Sequence, residues 1–120
     1  MKTFLKKKPR EFEVGNTKKF KIRDFGKILL GSNEQITLIT NNKAEYDLTK
    51  KSWGFYATPS LNGRLKNFGL RGVLIKNIVT KRFFVFLVEK GKEKLFSKYI
   101  EEEKLEIILW LDDEKKLNKL

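Results

Sequence analysis

The sequence contains no cysteine and no histidine, and only two prolines. The missing cysteine excludes thiol chemistry, disulfides, iron–sulfur clusters and Cys-containing zinc sites, and the missing histidine excludes every catalytic triad or dyad that works through an imidazole. Carboxylate, Lys, Tyr, Ser or Thr chemistry remains, or binding alone. Long apolar runs are also lacking. The longest, Phe83 to Val88, falls far short of the roughly 18 residues of a membrane helix. The opening Met1-Lys2-Thr3-Phe4-Leu5-Lys6-Lys7-Lys8-Pro9 has only Phe4-Leu5 where a secretion signal needs an apolar stretch of about 7–15 residues. A cytoplasmic setting is expected, in keeping with the absence of cysteine. Neither Gly26-Lys27 nor Gly91-Lys92 is preceded by the glycine that a phosphate-cradling loop requires.

What the sequence does contain is apolar residues and positive charge. Hydrophobic residues make up 40% and aromatics 12% of 120 residues, enough for one folded domain with one core. Lys and Arg number 27 against 15 Asp and Glu, a formal charge of +12. The excess is uneven: residues 1–30 carry 10 bases and 3 acids, residues 61–90 carry 7 and 1, and the other two quarters are nearly balanced. Such a balance favours a polyanionic partner, or serves solubility alone. Of the 27 bases, 22 are Lys, the residue less suited to bidentate phosphate recognition.

Along the chain, residues 1–16 read as a flexible basic arm, 17–111 as a single α+β domain and 112–120 as a charged tail. Phe20 and Ile22 alternating with Lys19, Lys21 and Arg23 suit an edge strand. Residues 28–30 and 36–40 are expected to pair as a hairpin through Gly31-Ser32-Asn33-Glu34, and a second hairpin at Asn41-Asn42-Lys43 leads into 45–48. Ser52 to Thr58 completes an antiparallel meander. The next segment, Thr58-Pro59-Ser60-Leu61-Asn62-Gly63-Arg64-Leu65-Lys66-Asn67-Phe68-Gly69, predicts a short helix with Thr58 as N-cap and Gly69 past its end, in competition with a hairpin turn at Asn62-Gly63. Leu61, Leu65 and Phe68 are spaced for one face of that helix. A β-β-α-β unit follows: strands at 71–76 and 82–89, a helix over 92–104 burying Leu95, Phe96, Tyr99 and Ile100, and a strand at 105–111. The fold expected is thus α+β, an antiparallel meander, a short helix and a β-β-α-β unit.

Three constellations compete for function. The start of the 59–68 helix offers free N–H groups and a positive dipole end, with Tyr56, Thr58, Ser60, Asn62, Arg64 and Arg71 as an anion or ligand site for a phosphorylated small molecule such as a nucleotide or sugar phosphate. A capped structural helix explains the same residues. A second set interleaves bases and aromatics: Lys6, Lys7, Lys8, Arg10, Lys50, Lys51, Trp53, Lys81 and Arg82, as a nucleic-acid surface. The third comprises Glu101-Glu102-Glu103-Glu106 and Asp112-Asp113-Glu114, acidic clusters without metal-loop spacing, read as a solvated face or a contact with another protomer's basic face. The leading reading is a non-catalytic module for a polyanion, foremost nucleic acid, needing neither cofactor nor metal. The alternatives are a small phosphorylated-ligand protein or enzyme accessory subunit, and a homo-oligomeric interaction protein.

Overall fold

Period-two alternation and β-branched or aromatic residues dominate the computed structural model, which describes residues 1–120 as an α+β fold built of antiparallel strands and short helices. Strands β1 (Lys2–Val14) and β2 (Phe20–Leu29) form a two-stranded ribbon. Strands β3 (Gln35–Ile39), β4 (Glu45–Lys51) and β5 (Gly54–Thr58) form a meander in that order. After a 3-10 turn at Arg64–Phe68 come β6 (Leu70–Asn77), β7 (Phe83–Glu89), helix α1 (Glu93–Glu102) and β8 (Leu105–Trp110), with strand order β7-β6-β8, and a last turn of helix α2 (Glu114–Leu117).

Three expectations need correction. Residues 2–14 are no arm but strand β1: Val14 pairs with Phe20, Phe12 with Ile22 and Lys2 with Leu29. The alternation of Phe12 and Val14 with Glu11 and Glu13 matches that of Phe20 and Ile22 with Lys21 and Arg23, and Gly15, at φ 127°, permits the turn between them. Residues 28 and 29 consequently pair with Thr3 and Lys2, leaving β3 to pair with β4 alone. The helix foreseen over 59–68 shrinks to a five-residue 3-10 turn, because Thr58 stays in β5 opposite Asp47. The Ser60 hydroxyl, not that of Thr58, accepts the Arg64 N–H at 3.1 Å. Gly69 does end the turn in the left-handed region, φ 83°.

The β7-β6-β8 sheet carries a small apolar cluster on each face. Under α1, Val73, Ile75 and Val88 are buried against Phe86, Phe96, Ile100 and Trp110. On the other side Leu65, fully buried, packs with Ala44 and Leu70 and so ties the 3-10 turn and the approach to β4 onto this sheet. Of the stripe expected on α1, Phe96 and Ile100 pack inward, while Leu95 stays 65% exposed. No helix is long and apolar enough to cross a membrane.

Candidate nucleic-acid interface

All ten bases and three acids of the first thirty residues lie on the β1–β2 ribbon and its turn. Two of those acids are committed locally: Asp24 accepts from Arg10 at 3.1 Å, and Glu11 sits 3.8 Å from Lys21. The Gly26 N–H, foremost, and the Arg10 hydrogen bond hold the Asp24 carboxyl below its usual value. Between Leu5, opposite Gly26, and Arg10, opposite Asp24, β1 has more residues than β2, so Lys6-Lys7-Lys8-Pro9 forms an outsized bulge. Pro9 has no N–H to give the ladder, which suits it to this place. Lys6, Lys7 and Lys8 are exposed and make no ion pair, leaving three ammonium groups in solvent, that of Lys6 near Asp24.

The ribbon is anchored at both ends. At its turn, the backbone N–H groups of Asn16, Thr17 and Lys18 donate to the Glu103 carboxylate at 3.0, 3.1 and 3.2 Å, and the Asn16 amide donates to the Glu103 carbonyl. Those donors, Lys18 foremost, keep the Glu103 carboxyl below the ordinary glutamate range. At the other end the Met1 ammonium meets Glu34 at 2.8 Å. Between these ties the strands of the ribbon pack chiefly against each other.

Of the other bases foreseen for this surface, Lys50 and Lys51 lie at the end of β4, where the Lys51 ammonium donates to Asn33 at 2.9 Å and that of Lys50 to the Lys51 carbonyl. Trp53, in the β4–β5 turn, is 71% exposed, and Tyr56 is exposed on β5. Lys81 and Arg82 sit in the β6–β7 turn, both exposed. Lys27 belongs to the same ribbon as Lys6–Lys8, although sequence reasoning does not single it out. The strand alternation of 20–29 is the signal that points to it.

The anion-site residues are scattered into separate duties. Arg71 donates through Nε and Nη2 to Asp112 at 2.7 and 3.1 Å, lies 3.6 Å from Glu93, and stacks over Trp110 at 4.1 Å. Its guanidinium is occupied. Hydrogen bonding to Arg71 holds Asp112 below the usual carboxylate value. Arg64 is exposed and lies over the Phe68 ring, Asn62 reaches Glu114 at 3.5 Å, Thr58 remains in the sheet, and Ser60 caps the turn. A turn of five residues supplies too short a run of aligned peptides to act as a dipole. The acidic clusters are likewise divided, Glu103 and Asp112 being buried and used inside the molecule, and no group of three or more acids is placed to hold a metal ion. No family model, curated protein or solved structure matches this chain.

Proposed function

We propose that the protein is a non-catalytic nucleic-acid-binding module whose contact element is the β1–β2 ribbon. The observation that carries this reading is the ribbon itself: two strands in ladder, anchored at its ends, with 10 bases against 3 acids and an unpaired Lys6-Lys7-Lys8 bulge. A two-stranded antiparallel ribbon fits the roughly 12 Å width of the DNA major groove, and lysines serve as point charges on backbone phosphates. The many Lys and few Arg favour phosphate contact over base reading, hence weak sequence preference.

The test is an anisotropy titration of labelled duplex DNA and single-stranded RNA at about 50 and 200 mM salt. Submicromolar duplex binding that weakens with salt and with Lys6→Gln/Lys7→Gln/Lys8→Gln is expected. No binding at the lower salt, or binding indifferent to those three lysines, overturns the assignment.

A further inference from the structure

Strand β7 is an unpaired sheet edge, with Lys18 of the ribbon turn nearby. It pairs only with β6, in an unbroken register from Leu70 opposite Glu89 to Lys76 opposite Phe83. Its first six residues, Phe83 to Val88, are all apolar. Natural edges are blunted by charge, proline or a bulge, and β7 has none of these within that run. The opposite edge, β8, carries Glu106 and an irregular register against β6. Phe83, Phe84 and Val85 are 56%, 46% and 60% exposed. Beside them lies an open groove of about 830 Å³ between β7 and α1, lined by Val85, Leu87, Leu95 and Tyr99 together with the charged Lys18 and Lys98.

The chain as a whole is sparsely covered. A compact chain of 14.2 kDa exposes about 6,800 Å², whereas this one exposes 9293 Å², a surplus of about 2,500 Å². The exposed apolar residues of β7 and α1 account for part of that surplus, alongside those of the β1–β2 ribbon.

We infer that β7 pairs antiparallel with β7 of a second copy across a two-fold axis at Val85. Directly opposed residues in an antiparallel pair share a sheet face. Phe86 and Val88 belong to the α1 face, so even-numbered residues must meet even-numbered ones, which puts the axis on a residue and not between two. With the axis at Val85, Val85 meets its own copy, Phe84 meets Phe86, and Phe83 meets Leu87. Arg82 then falls opposite Val88 at each end of the seam, beside Glu89, which already holds Lys92 at 3.2 Å. The joined sheet is β8-β6-β7-β7-β6-β8. Both α1 helices lie on its same face and bring the exposed Leu95 and Tyr99 of each copy toward the seam. The seam from Phe83 to Leu87 holds no charge, so the +12 on each copy opposes pairing chiefly through solvent, and added salt strengthens the dimer.

The inference is tested without nucleic acid, so that it stands or falls apart from the ribbon reading. Light scattering on the full chain across roughly a hundredfold range of concentration is expected to give twice 14.2 kDa. Val85→Lys sets two ammonium groups against each other at the axis and is expected to yield a monomer with unchanged far-UV dichroism, since Val85 is solvent-exposed within one copy. Val85→Cys supplies the sole thiol of a cysteine-free chain and is expected to form an inter-chain disulfide on mild oxidation. A wild-type monomer throughout the range overturns the inference. So does a dimer that survives Val85→Lys, or one that Val85→Cys fails to crosslink.

Discussion

Asp112 takes two donors from Arg71 while its own side chain is only 4% exposed, and Trp110 closes one face of the guanidinium. Replacing that carboxylate by a neutral amide leaves a partly buried cation without its main partner. Asp112→Asn is therefore expected to cost about 2–3 kcal/mol in urea unfolding, below the range for a wholly buried pair because Arg71 keeps some exposure to solvent. Glu103 is the second buried acid and the tie between the ribbon turn and the end of α1. Its folded carboxyl lies below the ordinary value of 4.5. The stability it contributes is thus complete above that value and is lost as the pH falls through the depressed folded one. Thermal melts over an acid series are expected to show wild-type protein losing stability below about pH 4.5 more steeply than Glu103→Gln. Parallel curves contradict this role.

Leu65 shows how a short element carries long-range structure. The 3-10 turn holds it fully buried between Ala44, at the approach to β4, and Leu70, at the start of β6. Leu65→Ala is expected to destabilise by about 3 kcal/mol, checked by urea unfolding, because the turn and its two neighbours cannot collapse onto the void together. The strands of the second half are legible in the sequence because their apolar runs are bounded by clear turns, and α1 because Phe96 and Ile100 recur at helical spacing. Gly69 is legible as a stop for the same segment in which Thr58 misleads as a start. A hydroxyl residue before proline is a cap by local rules, yet the pairing of Thr58 with Asp47 on β4 is a long-range interaction that those rules cannot see. The ribbon is hidden for a similar reason. Lys6 to Lys8 and Pro9 interrupt the alternation of β1 and read as an arm, whereas pairing with β2 absorbs the interruption as a bulge. The charged half of the candidate site is therefore visible as composition, and its shape only as register. Glu103 and Asp112 resemble any exposed acid, since nothing local marks a carboxylate whose donors lie 85 and 41 residues away.

The molecule as a whole joins an excess of positive charge to an excess of exposed apolar surface, and the ribbon carries both, with Phe4, Leu5, Phe25 and Leu29 exposed beside its lysines. Charge spread over an anchored ribbon suits a polyanion, whose released counterions give affinity and salt sensitivity together. Apolar surface at β7 and α1 suits a protein seam, where water is expelled. A two-fold dimer supplies two ribbons, and two phosphate-binding elements on one duplex raise affinity through effective concentration when their spacing allows both to engage. The decisive experiment is the slope of log affinity against log salt for labelled duplex DNA, measured on wild-type protein and on Lys6→Gln/Lys7→Gln/Lys8→Gln. Every duplex phosphate that the variant no longer neutralises flattens that slope by about 0.9, so the triple variant is expected to be shallower by roughly 2–3 per chain bound. Identical slopes for the two proteins contradict the ribbon as the element that meets the duplex.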